Sequence, residues 1–384
     1  MASLVTGAEA VTLGLGDAYF DAQSQTAVQP VLSESFTTLA ETLQAHGFLT
    51  IGAASNRHLA ADLGFAQGFD HYYESAAFQR ASALNRIAKS LLKDALGDAY
   101  ATAWRQQPLF LWVHYFDPHD PYYRRPGWPL PGQPAPDPRR IRQLAGKSYG
   151  DLERELEDPA PETLEALRSL YDGEIHDTDQ RFQELWEHLG FDDDTLVIFT
   201  SDHGEEFLEH GGLGHAKGLY EEVVRVPLMI RWPAKLPRGR VVHATASILD
   251  VYPTLAELLD LAAPEGLSGR SLVPLFDTPD WPSPRPILLE LDRQKEDWLA
   301  WVEGDHKVIR RVQPDPWVGS FDLAADPGET RNLADVEPDR TAAALAGLAA
   351  ARAALPSPPA GQRYLDISDE QTIDALKAMG YVVE

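Results

Sequence analysis

Apolar residues recur at helical spacing in several long segments of the chain. This spacing predicts helices over Ser33–His46, Ala81–Leu96 and Pro161–Leu189. Ser33 or Ser35 can cap the first of them. Shorter periodic segments predict two more helices, over Ser247–Leu261 and Arg340–Leu355. The longest helix has an apolar stripe and an acidic side that we interpret as a solvated face; the stripe is Leu164, Leu167, Tyr171, Ile175 and Phe182.

Short apolar runs between these helices predict strands, over Phe48–Ala53, Leu109–Tyr115, Leu196–Phe199 and Pro227–Trp232. The run Leu196–Phe199 has no polar break, which is typical of a strand buried on both faces of a parallel sheet covered by helices. Beyond the Pro-rich residues 279–286, four runs at hairpin-like spacing predict a small antiparallel sheet, over Ile287–Leu291, Trp298–Val302, His306–Val312 and Ser320–Leu323.

The pattern therefore predicts an α/β fold in two parts. Residues 1–278 are expected to form a mostly parallel central sheet sandwiched by helices, and residues 279–384 a small sheet-plus-helix subdomain. The Pro- and Gly-rich stretch Arg124–Pro138 is expected to be a long surface loop.

Polar residues that can do chemistry follow three of the predicted strands. His58 follows the first, His119 the second, and the pair Asp202-His203 the third. Ligands bind beyond the carboxyl ends of strands in open α/β sheets, so we expect these residues to meet at one edge. Asp and neutral His can both ligate divalent metals. The alternative is a strand-end cap at Asp202 beside solvated or turn-filling histidines.

Composition excludes some functions and constrains others. The formal net charge of the 384-residue chain is −26, which argues against nucleic-acid binding. The same charge repels anionic substrates, so a sulfate or phosphate site would depend on a metal and a few local cations. No apolar run approaches the length of a membrane span. The absence of cysteine excludes disulfides and thiolate metal sites.

The segment Asp194–Leu228 carries an ordered series of motifs. Ser201–Glu205 reads S-D-H-G-E, and a His- and Gly-rich loop, L-Y-E-E and R-V-P-L follow it. This series is similar to the C-terminal metal-binding segment of the sulfatase family, in the alkaline-phosphatase superfamily. The resemblance implies an alkaline-phosphatase-like fold and a sulfuric ester hydrolase that binds a divalent ion through Asp202 and His203. The ion could be Ca, Mg, Mn or Zn.

Two further matches lie at the other strand ends. Residues 55–59 read S-N-R-H-L, which resembles the family's G-K-W-H-L, with Asn56 at the position of its lysine. Residues 117–122 read D-P-H-D-P-Y and resemble D-P-H-x-P-Y. The resemblance implies catalytic roles for His58 and His119, and for Lys217 or His215 on the leaving-group side. It also implies substrate contacts from Asn56, His119 and Lys217.

The first residues, A-S-L-V-T-G, resemble the tail of the sulfatase signature C-x-P-S-R-A-S-L-x-T-G. In that alignment the nucleophile and the family's paired Asp ligands fall before Met1. The sequence therefore leads us to expect a truncated family member that binds metal weakly and lacks its nucleophile. Family members are often exported, and a leader would fall in the same upstream region.

The leading hypothesis is metal-dependent hydrolysis of a small-molecule or glycan sulfate ester, in which this chain by itself can be inactive because the nucleophile segment falls before Met1. The second is a phosphodiesterase or phosphonate monoester hydrolase of the same superfamily, because the resemblance puts Asn56 at the position of a lysine that contacts sulfate and gives the metal a histidine ligand, His203. The third is a non-catalytic remnant. The sequence specifies neither the oligomeric state nor the compartment.

Overall fold

The computed structural model describes residues 1–15, 19–21, 26–75, 78–126, 136–155, 159–278, 285–293, 296–313 and 315–367. Among them, no helix is both long and apolar enough to cross a membrane. The helices are α1 Ala2–Thr6, α2 Ala10–Leu13, α3 Leu39–Ala45, α4 Ala81–Leu96, α5 Tyr100–Ala103, α6 Pro138–Leu144, α7 Tyr149–Glu155, α8 Pro161–Leu189, α9 Glu221–Val224, α10 Val251–Leu258, α11 Pro274–Asp277 and α12 Pro338–Ala354. The strands are β1 Tyr19–Asp21, β2 Thr26–Pro30, β3 Leu49–Ala54, β4 His71–Tyr73, β5 Leu109–His114, β6 Val197–Thr200, β7 Glu206–Phe207, β8 Leu213–Gly214, β9 Leu228–Arg231, β10 Ile287–Arg293, β11 Glu296–Glu303, β12 His306–Gln313, β13 Trp317–Asp322 and β14 Tyr364–Ile367.

The chain divides into two compact units. The first unit consists of Met1–Ala18, Gln29–Leu39 and Asp193–Tyr364, and the second of Tyr19–Val28, Ala40–Asp192 and Leu365–Glu384. The predicted boundary after residue 278 coincides with a gap in the described residues, 279–284, and stays a prediction.

The second unit contains a parallel sheet in the order β4-β3-β5. The central strand β3 is almost entirely buried, as its apolar sequence predicts. Helices α4 and α8 supply the side chains that cover the sheet, and Ile51, Leu92, Leu185 and Leu189 form one buried cluster. Both helices have the predicted bounds. Gly190 ends α8 in a left-handed conformation that glycine adopts easily.

The first unit contains the small antiparallel sheet, in the order β10-β11-β12-β13. Helix α12 packs on it through Leu348, which clusters with Leu288 and Leu299. The predicted sheet-plus-helix arrangement is confirmed. Together with the parallel sheet of the second unit, it confirms the predicted α/β class with a separate antiparallel sheet.

The helix predicted over Ser33–His46 begins only at Leu39. The Ser33 hydroxyl accepts a hydrogen bond from the Ser35 N–H, and the Ser33 carbonyl accepts one from the Phe36 N–H. These local bonds close a turn, because serine competes with the helix for backbone partners. The six residues before Leu39 are therefore not helical.

The prediction of a parallel strand buried on both faces at Leu196–Phe199 was wrong. Strand β6 pairs antiparallel with β9, and each of its four residues is partly exposed. Strand β5 is also partly exposed throughout. Within the described parts of the chain, β5 and β6 each pair on one side only, and an edge strand is less covered than a central one. An apolar run cannot reveal the direction of its partner.

The apolar stripe predicted for α8 is wrong at one position. Ile175 is 44% exposed, whereas Glu174 is 1% exposed. The interpretation of the acids here as a solvated face is therefore wrong for Glu174, because a buried arginine from a distant segment contacts it.

Of the loop predicted over Arg124–Pro138, residues 127–135 lie outside the described residues, and Pro138 already begins α6.

Candidate active site

Two predicted site segments lie at one edge of the parallel sheet. Strands β3 and β5 are neighbours, with Ala54 opposite His114 at their carboxyl ends. A short extended segment bridges the loops after these two strands. The Gln79 N–H donates to Ser55 Oγ at 2.7 Å, and the Ala81 N–H donates to Asp117 Oδ2 at 2.7 Å. The loops that carry His58 and His119 therefore begin at adjacent strand ends, as predicted.

The first loop is a single 3₁₀ turn, Arg57–Leu59, capped by Asn56. Asn56 Oδ1 accepts the His58 N–H at 2.9 Å. Arg57 forms an ion pair with Asp62, with Nη1 2.6 Å from Oδ1. The cap gives Asn56 a structural role that fixes the backbone of His58. It uses only the carbonyl oxygen of the Asn56 side chain.

The second loop holds His119 against Asp120. His119 Nδ1 lies 2.8 Å from the Asp120 carbonyl oxygen and 2.9 Å from Asp120 Oδ1. Asp120 is buried, and its Oδ2 accepts the Tyr149 N–H at 3.0 Å. An acid that binds one imidazole nitrogen orients the ring and stabilises its protonated form. Chemistry by His119 would therefore use Nε2.

A buried charge network anchors the same loop. Arg125 donates to Asp117 Oδ1 at 2.5 Å and also to Glu174, and all three side chains are nearly inaccessible. Glu174 also accepts the Tyr123 N–H at 2.7 Å. Burial raises the pKa of Glu174 to about 7, although the Tyr123 N–H and Arg125 act to lower it. The network holds the start of the His119 loop and the segment after it at fixed positions.

The first unit carries the remaining predicted residues. His203 Nδ1 is 2.9 Å from the Gly204 carbonyl oxygen, so the Nδ1–H donates a hydrogen bond to this oxygen. Nε2 then carries the lone pair and can ligate a metal. That Nε2 lies 3.9 Å from Asp202 Oδ1. Two ligands of one ion, with bonds of about 2.0–2.5 Å, can be this far apart. The pair therefore fits a divalent ion, with two of the four or more ligands such ions take.

His215 lies beside this pair. Its ring stacks on His203 with centroids 4.0 Å apart, and its Nδ1 lies 2.9 Å from Glu205 Oε1. Lys217 follows in the segment between β8 and α9 and is partly buried. The structure therefore brings Asp202, His203 and His215 together.

The backbone after His203 is held closely. The Gly204 N–H donates to the Val223 carbonyl at 2.7 Å, and the Glu205 N–H donates to the Glu222 carbonyl at 2.9 Å. A Cβ at Gly204 would overlap the Glu222 carbonyl oxygen. Only glycine allows this approach, which explains the glycine of the S-D-H-G-E motif.

Sequence reasoning did not single out a second cluster, formed by Glu206, His210 and Glu222. Their possible ligand atoms all lie within 4.8 Å of one another. His210 Nδ1 is 2.6 Å from Glu222 Oε1, which is a charge-assisted hydrogen bond, whereas two ligands of tetrahedral zinc lie about 3.3 Å apart. His210 Nε2 faces the Glu329 carbonyl oxygen at 3.3 Å. We interpret the cluster as an imidazolium ion pair.

The electrostatics of His210 agree with this interpretation. Burial lowers the pKa of His210, but the hydrogen bond to Glu222 and its charge outweigh burial and raise the pKa overall. The ring also stacks on Tyr220, with centroids 3.6 Å apart.

A buried lysine continues the network to the antiparallel sheet. Lys307 Nζ lies 2.9 Å from Glu221 Oε1 and 3.0 Å from Glu329 Oε1, and the lysine side chain is fully buried. Glu329 Oε2 accepts the Glu221 N–H at 2.6 Å. The L-Y-E-E motif thus connects the His- and Gly-rich loop to β12. No local sequence signal identifies Lys307, because its partners are distant in the chain.

The predicted site residues are distributed over both units. Asn56, His58 and His119 belong to the second unit, and the other four, Asp202, His203, His215 and Lys217, to the first. Each group is assembled within its own unit. That the two groups share one cation stays a prediction.

Comparison with known proteins identifies the family. The sulfatase family model matches residues 6–261, which is more than half of the chain. The chain belongs to the sulfatase family. A second model, the C-terminal region of N-sulphoglucosamine sulphohydrolase, matches residues 209–347. All seven predicted site residues lie within the sulfatase match.

Curated sulfatases resemble the chain over part of their length. A choline-sulfatase of Rhizobium meliloti (strain 1021) is 32% identical over 257 residues, which cover 60% of this chain and 47% of the relative. A steryl-sulfatase of Mus musculus is 31% identical over 186 residues, 45% of this chain and 25% of the relative. The chain therefore spans about half or less of the length of these relatives.

Solved structures share the sulfatase fold. BT4656, solved with its substrate D-glucosamine-2-N,6-O-disulfate, has a TM-score of 0.66 and 16% identity, covering 92% of this chain and 87% of that one. The phosphonate monoester hydrolase of Agrobacterium radiobacter has a TM-score of 0.66 and 19% identity, covering 92% and 85%. At these identities the likeness establishes the fold.

Proposed function

We propose that the protein hydrolyses sulfate esters with a divalent metal ion. The observation that carries the proposal is the sulfatase family match over residues 6–261, which includes every predicted site residue. The substrate would be a small-molecule or glycan sulfate ester. Two features of the geometry support this function: the Asp120-bound His119 and the His203 tautomer suited to a metal.

Asp202 and His203 would hold the metal. A bound divalent ion would polarise the ester's non-bridging oxygens. Two ligands are few for such an ion, so we propose weak binding by this chain alone. The histidine ligand favours Zn or Mn over Ca.

Histidines and one lysine would act on the ester itself. His119, oriented by Asp120, would donate a proton or hydrogen bond from Nε2 to an ester oxygen. His58, placed by the Asn56 cap, would contribute a second donor, and the Asn56 amide nitrogen could contact the same sulfate. Lys217 or His215 would stabilise charge on the leaving oxygen.

A phosphodiesterase or phosphonate monoester hydrolase is the second candidate. Asn56 stands where sulfatases have a sulfate-binding lysine, which weakens the case for sulfate. A "multifunctional alkaline phosphatase superfamily protein PehA" of Trinickia caryophylli is 29% identical over 269 residues. The third candidate is a non-catalytic remnant.

A substrate panel separates the three candidates. We would assay 4-nitrophenyl sulfate, bis(4-nitrophenyl) phosphate and a phenylphosphonate ester with Ca²⁺, Mg²⁺, Mn²⁺ or Zn²⁺ added. Two forms would be compared: this chain, and this chain extended by any in-frame coding sequence upstream of Met1. Metal-dependent release of sulfate supports the proposal. Faster turnover of the phosphorus esters overturns it in favour of the second candidate, and inactivity of both forms favours the third.

A further inference from the structure

We propose that His210 and Glu222 are positioning residues for the metal site, which act through the backbone on the orientation of His203. The inference rests on the proposed function, because it takes Asp202 and His203 to hold the divalent ion. It adds two residues to the predicted site, and it makes the affinity for the ion depend on the charge of His210.

One peptide unit links His203 to Glu222. Its carbonyl, that of Gly204, accepts the Nδ1–H of His203 at 2.9 Å. Its N–H, that of Glu205, donates to the Glu222 carbonyl oxygen at 2.9 Å. A peptide unit is planar, so any turn of its N–H also turns its carbonyl. The hydrogen bond made by the other ring nitrogen sets the tautomer and orientation of a ligating imidazole. The Glu222 carbonyl therefore controls where His203 Nε2 points.

Helix α9 carries this carbonyl and is held through its two acidic side chains. Glu221 Oε1 lies 2.9 Å from Lys307 Nζ, and Glu222 Oε1 lies 2.6 Å from His210 Nδ1. The helix has only four residues. A single turn has little stability of its own, so contacts of its side chains determine its position. His210 is thus one of two cationic anchors of the backbone that orients His203.

The strength of the His210 anchor depends on its proton. The titratable groups that face the ring are Glu222 from α9, Glu206 from β7, Glu329 from the segment after β13, and the stacked Tyr220. Lys307 from β12 pairs with Glu329. An imidazolium donates a stronger hydrogen bond to a carboxylate than a neutral imidazole does. Loss of the proton therefore loosens Glu222 and, through it, the orientation of His203.

The direct effect of the His210 charge on the ion has the opposite sign. A positive ring repels a divalent cation, so a purely electrostatic role predicts that removing the charge tightens metal binding. A positioning role predicts that removing the charge weakens metal binding. The sign of the change therefore distinguishes the two roles.

Titrations with Mn²⁺ test the inference without requiring turnover, from about pH 7 to about pH 9. Glu222→Gln keeps the shape of the side chain and removes its charge, and His210→Gln keeps an uncharged N–H donor. The matched controls are Glu184→Gln, at an exposed ion-paired glutamate, and His188→Gln, at an exposed histidine. The urea midpoint of each variant shows whether it is folded.

We expect Glu222→Gln and His210→Gln to weaken Mn²⁺ binding about five- to tenfold near neutral pH, and the controls to stay within about twofold. As pH rises through the raised pKa of His210, the wild-type ring becomes neutral, and its affinity should approach that of His210→Gln. Comparison at each pH cancels the protonation of His203, which both proteins share. Wild-type affinity in both variants, tighter binding by His210→Gln, or no Mn²⁺ binding by the wild-type chain would overturn the inference.

The tautomer of His203 provides a second readout, which a purely electrostatic role would not change. Long-range ¹H–¹⁵N spectra of the metal-free protein show which ring nitrogen carries the proton, and His203→Gln assigns the signals. At a pH where the ring is neutral, the Nδ1–H form should dominate in the wild-type chain. Glu222→Gln should increase the share of the Nε2–H form. An unchanged tautomer in folded Glu222→Gln would overturn the inference.

The outcomes also separate this inference from the proposed function. Mn²⁺ affinity that depends on Glu222 and His210, without release of sulfate, would leave the inference standing and remove the hydrolase. Metal-dependent release of sulfate, with Mn²⁺ affinity indifferent to both residues, would do the reverse.

Discussion

Lys307 is the clearest test of the buried charges in the first unit. Lys307→Met keeps most of the side-chain volume but leaves Glu221 and Glu329 without this cation. We expect it to lower the free energy of unfolding in urea by about 3–5 kcal/mol. Lys93→Met is the control and should leave the urea midpoint unchanged, because the Lys93–Asp98 pair is exposed. A loss of less than about 1 kcal/mol would contradict the assignment of a buried ion network.

His210 should make stability depend on pH. Because the folded pKa is raised above its usual value of about 6.5, its contribution is complete below pH 6.5 and is lost as pH rises through the folded pKa. Wild-type protein should therefore lose more unfolding free energy between pH 6 and 9 than His210→Gln, by about 1–2 kcal/mol. Urea titrations at several pH values measure this difference. Parallel pH curves would refute the imidazolium assignment.

Burial also raises the pKa of Glu206 and of Glu329. Both acids therefore bind protons more tightly when folded, and they too favour the native state as pH falls toward their unfolded values near 4.5. The charge of His210 acts to lower the pKa of Glu206, so the difference between wild type and His210→Gln reports the histidine together with its effect on this neighbouring acid.

Metal binding should depend on Asp202. A ligand that binds only the native state stabilises it by about 1.4 kcal/mol at ten times its dissociation constant. We expect millimolar Mn²⁺ to raise the melting temperature of the wild-type chain and not that of Asp202→Asn. Asp335→Asn, at an exposed turn, is the control. An undiminished shift in Asp202→Asn would place the ion elsewhere, for instance at Glu206 and Glu222.

At the residue scale, local motifs predicted which side chains stand at strand ends but not what surrounds them. The tautomer of His203 and the Asp120 contact of His119 follow from backbone turns that spacing does not specify. Glu174 was misread because its arginine is 49 residues away in the chain.

At the element scale, the segment Asp202–Glu205 depends on its contact with the backbone after α9. Gly204→Ala would force the Glu222 carbonyl away and displace Asp202 and His203. We expect a loss of about 1–3 kcal/mol in unfolding free energy, together with loss of the Mn²⁺-dependent shift. Gly328→Ala is the matched control, because its added Cβ would lie 3.7 Å from the Thr330 methyl. Wild-type stability and metal response in Gly204→Ala would contradict this contact.

Helices with long periodic stripes, such as α4 and α8, were predictable to the residue. Their signals are repeated over many turns. The start of α3 was not predictable, because a serine hydroxyl can either cap a helix or close a turn and the sequence permits both. The antiparallel pairing of β6 with β9 was also not predictable, since the same apolar run suits either direction.

At the scale of the whole molecule, the net charge of the chain opposes the proposed function. A chain of net charge −26 repels a sulfate ester, so the few cations near the proposed site must act locally. The family match supports a common origin for the strand-end motifs in both units. The central proposal is sulfate ester hydrolysis in which His119 takes part, and a change at His119 tests it.

The most direct measurement is kcat/KM for 4-nitrophenyl sulfate after His119→Ala, made in whichever form of the protein turns over. His188→Ala is the control, because His188 is exposed and its ring is hydrogen-bonded to the Tyr100 hydroxyl. We predict that His119→Ala lowers kcat/KM by about 10²–10⁴-fold, while the control stays within about twofold. Wild-type kcat/KM in His119→Ala would contradict a role for this strand end in sulfate ester hydrolysis.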